Sequence, residues 1–427
     1  MARSLIPLAT VLSAMLIPLV ACSSASDSPS GVQGTDDSGD AGADVFSSDA
    51  TSDNDTGTIP GTITDPKVEM ILTGCPQAGY AAQFSVGGVL PYTLVVDTGS
   101  AELAVAGDDC GECADAGIAP RYRPGAKSVD EHQTTSVSYV SGSGWSGEIY
   151  QDQFGADEFV LAPTRLVDIQ NVTGGFFTNN GCAFGSIPFT YQGIAGFGPS
   201  ALAKPGTDEP MAAMAANGYT NIFALALCGL GGEMWVGWYD SSKTAGAPKY
   251  TPLLTNAYYA IKVSGVTVGT TSLGLSATDI DDVVVDTDTT EFELPSAAYD
   301  AARDAIAGSA SFQQYFGGAA FFDNGSCIQA KGATPPTNDA LDAALPTFTI
   351  QIDDGAGGSS DVPLKATSSY LEPITKDGIT YYCPEIETRN VGGSTVLGSA
   401  FMREQVVIFD LAASRIGFAP YASCATR

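Results

Sequence analysis

The stretches VVDTGS at residues 95–100 and VVVDTDTTEFELP at residues 283–295 decide how this chain is read. In each, an apolar β-branched run ends in Asp-Thr, and a hydroxyl residue follows two positions on, Ser100 in one and Thr289 in the other. Such runs, closed by turn residues, predict buried strands. The echo goes further: Asp97 is followed by Ile194-Ala195-Gly196 and Asp286 by Val396-Leu397-Gly398, two apolar residues and a Gly in each half. A duplicated unit with one Asp per copy predicts a pseudo-twofold molecule whose carboxylates meet at the axis. One position breaks the match, because Asp288 stands where the first copy has Gly99.

The chain has 427 residues, which suits two lobes better than one core. Val, Thr, Ile, Phe and Tyr recur in short runs between Gly, Pro, Asp and Asn clusters, so the expectation is an all-β protein. Only Met211–Asn217 and, more weakly, Ser296–Ala307 look helical. The 48 acidic residues against 18 basic ones give a formal net charge of −30. That balance repels nucleic acid, and no Lys/Arg cluster reverses it locally. It fits either solubility outside the cell or stability at acid pH, where many carboxylates are neutral.

Residues 1–21 are set aside as a targeting segment, with Arg3 ahead of the apolar stretch Leu5–Val20. The ending Leu19-Val20-Ala21-Cys22 resembles a bacterial lipobox, which implies cleavage before Cys22 and lipid on that cysteine; an ordinary signal cut near Ala21 or Ala25 is the alternative. Residues 22–66 carry nine Asp and no Lys or Arg, and read as a disordered tether. The lobes are then expected at 67–250 and 251–427. Beyond Cys22, eight cysteines in an exported chain predict four disulfides, and the sequence alone leaves 105 pairings open. Zinc at Cys110-Gly-Glu-Cys113 is the other reading of that pair, although no second CxxC follows it.

Several chemistries fall away on counting. The single histidine, His132, sits in a polar stretch that reads as surface, so histidine-based triads and zinc hydrolysis lack their usual residues. No phosphate-loop glycine motif is present. Carboxylate chemistry remains, with no cofactor implied. Two Asp side chains about 3 Å apart share one proton, so the ionised partner can draw a proton from water while the protonated one polarises a carbonyl.

The chain resembles the pepsin-like aspartic endopeptidases, on VVDTGSAELAV (95–105), YVSGSGWSGEIYQD (139–152), GIAGFG (193–198), VVVDTDTTEFELP (283–295) and STVLGSAFMREQVVIFDLAASRIGFA (394–419). The resemblance implies a bilobal fold of two barrel-like β lobes with the active-site cleft between them. It implies a peptide or protein substrate, a monomer, and Asp97 and Asp286 as the catalytic pair. Thr98 and Thr287 would tie the two loops together, with Gly99 and Asp288 beside them, while Ser100 and Thr289 would hold the outer carboxylate oxygens. Tyr139 would sit near the tip of a hairpin flap.

Several stretches are nearest to beta-secretase: Ala104 stands where pepsins usually have Trp, and Trp145 lies in the flap instead. FALALCG (223–229) and GFAPYASC (417–424) are similar to segments that enzyme joins by a disulfide. The resemblance therefore implies Cys228–Cys424, Cys110–Cys113 and Cys327–Cys383, which leaves Cys75 with Cys182.

Val140 stands where the flap usually has Gly, and the flap is one residue longer than in pepsin. Asp288 is the larger departure. With its side chain turned aside, the pair survives and a third carboxylate raises its apparent pKa values. With its side chain over the water site, the protein is a pseudo-peptidase that binds peptides or proteins without cutting. A surface lipoprotein using the fold as a rigid platform is the third possibility. Retention of both Asp-Thr pairs, Ser100, Thr289 and Tyr139 favours an exported, lipid-anchored endopeptidase, at the bacterial outer membrane or cell surface.

Overall fold

The computed structural model describes residues 66–422 and 424, apart from 157–158, 161–162, 178–180, 255–256, 333 and 390–393. The expected signal segment, Cys22 and nearly all of the tether lie outside the described residues. Within them, the duplicated motifs build the same local structure twice. The strand Val89–Asp97 pairs in parallel with Gly193–Gly196, Gly196 lying opposite Asp97, and Gly193–Gly196 runs antiparallel to Leu103–Ala106. In the second copy, Asp282–Val285 pairs in parallel with Thr395–Leu397, which runs antiparallel to Phe292–Leu294.

The repeated Gly has a steric cause. A Cβ at Gly196 would lie 2.6 Å from the Glu102 nitrogen, and one at Gly398 would lie 2.3 Å from the Glu291 carbonyl oxygen. Only a residue without a side chain lets the backbones approach this closely. The strands of these motifs are buried on both faces, which is why they read as continuous apolar runs.

Gln405–Asp410, buried throughout, is inserted between Ile222–Leu227 and Arg415–Pro420, so the last strands of the chain join the sheet that holds Val68–Cys75. A row of rings crosses this junction: Phe84 to Phe197 at 6.2 Å, Phe197 to Phe223 at 5.3 Å, Phe223 stacked on Phe409 at 4.5 Å, and Phe409 to Tyr259 at 5.0 Å. The Tyr259 hydroxyl donates to the Phe197 carbonyl at 2.8 Å, which satisfies its one polar atom inside the core. The architecture is the bilobal, mostly β arrangement expected. The sheets are open rather than closed barrels: the 15-stranded sheet ends at Lys249–Pro252 and Val129–Ser138, the eight-stranded one at Ser359–Leu364 and Ile386–Thr388. The expected lobe junction at 250–251 falls within the strand Lys249–Pro252.

Helices occur at Pro210–Ala216 and Ser296–Ala307, the two segments with helical patterning. Ala310–Phe316 and Asn338–Ala344 are the longest of those that the strand-rich composition concealed among the described residues. Both are short, begin at hydroxyl caps (Ser309 accepting from the Phe312 N–H, Thr337 from the Ala340 N–H), and the first ends on Gly317 in left-handed geometry. Disulfides join Cys75–Cys182, Cys110–Cys113, Cys228–Cys424 and Cys327–Cys383.

One buried ion cluster holds the end of the chain to the rest. Arg403, 3 % exposed, pairs with Glu372, 2 % exposed, and donates to the Leu371 carbonyl at 3.3 Å. Glu385, also buried, adds a second carboxylate, and burial together with the Glu372 charge holds its carboxyl well above the usual range. Arg403→Met is expected to destabilise the protein by about 3–5 kcal/mol at pH 7, because it strands a buried carboxylate. The loss should shrink at pH 4, where Glu372 can take a proton; urea unfolding at the two pH values measures both.

Candidate active site

Each Asp ends a buried strand and turns into a loop held by its own backbone. The Gly99 N–H donates to Asp97 Oδ1 at 2.7 Å and the Ser100 hydroxyl to Asp97 Oδ2 at 2.5 Å. In the other copy, the Asp288 N–H donates to Asp286 Oδ1 at 3.1 Å and the Thr289 hydroxyl to Asp286 Oδ2 at 2.7 Å. Both carboxylates are thus gripped in the same way by the residues two and three positions on.

The two threonines lock the loops reciprocally. The Thr98 N–H donates to Thr287 Oγ1 and the Thr287 N–H to Thr98 Oγ1, both at 3.0 Å. Their hydroxyls donate across the axis as well, Thr98 to the Val285 carbonyl at 3.0 Å and Thr287 to the Val96 carbonyl at 2.7 Å. Thr98 and Thr287 are buried, so these four bonds are shielded from competing water. Asp97 is 3 % exposed and Asp286 half-buried. Burial first, then the charges of Asp286 and Asp288, hold the Asp97 carboxyl well above the usual carboxylate range. That is the direction expected where neighbouring carboxyls share a proton.

Position 288 is not the equal of position 99. A Cβ at Gly99 would lie 2.8 Å from the Asp286 carboxylate, so no side chain fits there without moving it. The Asp288 side chain is turned elsewhere: its Oδ1 lies 3.0 Å from where a Cβ on Gly79 would stand. Neither Gly99 nor Asp288 is among the residues with positive φ, so Asp at 288 carries no backbone strain. Its side chain is exposed to water in the cleft, yet the surrounding protein and the Asp286 charge push its carboxyl up to about 7.

Over the pair lies the hairpin of Val129–Ser138 and Gly144–Asp152. Its tip is closed by the Tyr139 N–H donating to the Ser143 carbonyl at 2.9 Å and the Gly142 N–H to the Tyr139 carbonyl at 3.0 Å, with Val140 93 % exposed. The Tyr139 hydroxyl feels the charges of Asp97 and Asp288, which places the hairpin at the site. The Trp145 indole N–H donates to the Tyr139 hydroxyl at 3.0 Å, and Trp145 packs in one buried cluster with Val95 and Ala104. Trp145→Phe keeps the packing and removes this bond; a fall in kcat/KM of roughly two- to tenfold is expected, with Tm little changed.

The sequence did not single out the ring wall behind the flap. Tyr139 stacks on Phe176 at 5.8 Å and 12°, and Phe176 and Phe177 both meet Tyr191. Paired phenylalanines in Gly-Gly-Phe-Phe were the available signal. His132 lies out at the surface with its side chain 86 % exposed, paired to Asp130. A separate cavity of about 550 Å³, lined by Cys75, Glu372, Arg403 and Cys424 among others, includes neither Asp97 nor Asp286.

Fold and site together define a hydrolase built on two carboxylates. The model of the family described as "Eukaryotic aspartyl protease" matches residues 79–421. The chain is 27 % identical over 359 residues to an aspartic protease of Phaffia rhodozyma, covering 84 % of this chain and 78 % of that one. It is 26 % identical over 386 residues to a beta-secretase of Strongylocentrotus purpuratus, covering 82 % and 67 %, and 27 % identical over 354 residues to aspergillopepsin-1 of Aspergillus oryzae, covering 80 % and 79 %. The chain belongs to the eukaryotic aspartyl protease family and is an aspartic-type endopeptidase. Four disulfides fit an extracellular protein.

Proposed function

We propose that Asp97 and Asp286 hydrolyse peptide bonds by activating a water held between them. The observation that carries this is the matched grip on the two carboxylates, each held by a backbone N–H and a hydroxyl, on loops tied by reciprocal Thr98–Thr287 bonds. With one proton shared by the pair, the ionised carboxylate takes a proton from the water as it attacks the carbonyl carbon. The protonated one donates to the developing oxyanion. The tetrahedral intermediate then breaks its C–N bond as the leaving nitrogen is protonated, and the pair ends with the proton count it began with. Thr98 and Thr287 fix the spacing, Ser100 and Thr289 orient the outer oxygens, and Tyr139, steadied by Trp145, closes over the substrate. Gly99, having no side chain, leaves room for the Asp286 carboxylate, which a Cβ there would approach to 2.8 Å.

The orientation of Asp288 toward Gly79 favours a working pair over a peptide-binding pseudo-enzyme. The test is cleavage of a denatured protein by the full chain from pH 2.5 to 7, with and without pepstatin. Pepstatin-sensitive cleavage is expected; folded protein that binds the substrate without cutting it at any pH would establish the pseudo-peptidase instead.

The same reading extends to location: a monomer tethered through residues 22–66 to lipid on Cys22, at the bacterial outer membrane or cell surface. It rests on the lipobox-like Leu-Val-Ala-Cys ending and the Asp-rich, Lys/Arg-free tether. Cys22→Ala should shift the protein from the membrane fraction to the soluble one.

A further inference from the structure

The active-site cleft contains a third carboxylate that peptide hydrolysis does not require. Asp288 meets water in the cleft, and among the described residues none donates a hydrogen bond to its carboxylate or pairs with it as a cation. Its backbone N–H donates to Asp286 at 3.1 Å, so the side chain starts beside the catalytic pair. Oδ1 lies against Gly79, whose own Cβ position would touch Val95 at 3.4 Å. The charge of Asp288 also acts on the hydroxyls of Tyr139 and Tyr191, and Tyr139 stacks on Phe176 at 5.8 Å.

An exposed carboxylate beside the catalytic pair, with the half-buried, stacked rings of Tyr139 and Phe176 in the same cleft, suits a side chain that is aliphatic along its length and cationic at its end. The methylene stem lies on the rings while the charged head reaches the carboxylate. We infer that Asp288 is a specificity-determining residue that selects Lys or Arg at a substrate position beside the scissile bond. The inference rests on the proposed hydrolysis at Asp97 and Asp286 and names the substrate class of that same site.

Size and charge agree with this assignment. Lys and Arg are the residues whose stems span a hydrophobic wall before reaching a charge, whereas an apolar side chain would leave the carboxylate without a partner. An acidic side chain would meet the single negative charge of the Asp97–Asp286 pair and, toward pH 7, that of Asp288 as well, and be repelled. The whole chain, with its net charge of −30, also draws cationic peptides toward the cleft.

The selection should depend on pH in a definite direction. The groups facing Asp288 are Asp286, Asp97 and the neutral hydroxyls of Tyr139 and Tyr191, and no cation opposes the rise of its carboxyl to about 7. At pH 4, Asp288 is protonated and offers a basic side chain only a neutral acceptor. Toward pH 7 it ionises, more so with a cation bound, and the preference should grow.

The experiment digests one denatured protein mixture with the full chain at pH 4 and pH 6.5 and reads the cleavage sites by mass spectrometry. Matched peptides with Lys or Leu at the enriched position then give the ratio of kcat/KM. Asp288→Asn serves as the comparison, since it keeps the N–H that donates to Asp286 and removes only the charge. The expected result is Lys and Arg enriched beside the cut at pH 6.5 and much less so at pH 4, with the Lys-to-Leu ratio falling about tenfold or more in Asp288→Asn. This ratio is internal to each enzyme, so a general loss of activity does not move it. Equal ratios in the two proteins, or an enrichment the same at both pH values, would overturn the inference while leaving hydrolysis by the pair intact. Absence of any cleavage by folded wild-type protein would overturn the hydrolytic reading itself, and this inference with it.

Discussion

Asp97→Asn is expected to lower kcat/KM by at least about a thousandfold while leaving the fold in place. Asparagine can still accept the Gly99 N–H through its amide oxygen, and its NH2, in the place of Oδ2, can donate to the Ser100 hydroxyl oxygen instead of accepting from it, so the loop geometry survives. What disappears is the shared proton. Asp97 is the buried member of the pair, and its carboxyl is held high by burial and by its acidic neighbours, so it stays protonated where a free carboxyl would ionise. An amide in its place can neither give that proton up nor take one back, and the cycle of water activation and leaving-group protonation stops. Circular dichroism and Tm matched to wild type, with activity lost, complete the expected result. A fall of less than tenfold would mean that Asp97 is a bystander.

The second large effect is on stability. Buried carboxyls outside the cleft and within it are held high, among them Asp168, to about 7 by burial and by the charges of Asp109, Glu148 and Asp108, Glu209, to about 7 by burial, and Asp97 and Glu385, well above their usual range. Each binds its proton more tightly folded than unfolded, so between about pH 4 and pH 7 the folded state carries more protons. Stability from these groups is therefore complete below about pH 4 and is lost as pH rises toward 7. Asp168 and Glu209, both 5 % exposed, each account for roughly 3–4 kcal/mol at most. The carboxyls held low, Asp108, Asp240, Asp279 and Asp354, lie at or near the surface and lose their contribution only below about pH 4. Tm should fall by on the order of 10 °C from pH 4 to pH 7. Asp168→Asn should flatten that slope, whereas a Tm that rises over the interval would contradict the account. Of the two readings open to the acidic composition, these buried groups favour stability in acid.

Much of this was legible because it is written locally. Asp-Thr with a hydroxyl two positions later is a whole carboxylate grip within four residues, and the Gly of Ile-Ala-Gly and Val-Leu-Gly marks where two backbones touch. The flap Trp was named through the resemblance to beta-secretase, and its bond to Tyr139 lies within one hairpin. Features that depend on the meeting of distant segments were not. Tyr191, Phe176 and Val95 form one wall only after three separate stretches converge, and no periodicity records it. The helix Ala310–Phe316 was hidden because Phe and Tyr are strand formers by composition, and only the Ser309 cap and Gly317 stop declare it. Asp288 was recognised as a departure from Gly99, but its direction toward Gly79 is a tertiary fact.

Pairing of the two carboxylates can be tested without the natural substrate. Calorimetric titration of a statine-type transition-state mimic into the folded full chain at pH 4 should show binding at least about a hundredfold tighter than to either Asp97→Asn or Asp286→Asn. Equal affinity for all three proteins would contradict it, because a mimic indifferent to both carboxylates is not held where Asp97 and Asp286 meet.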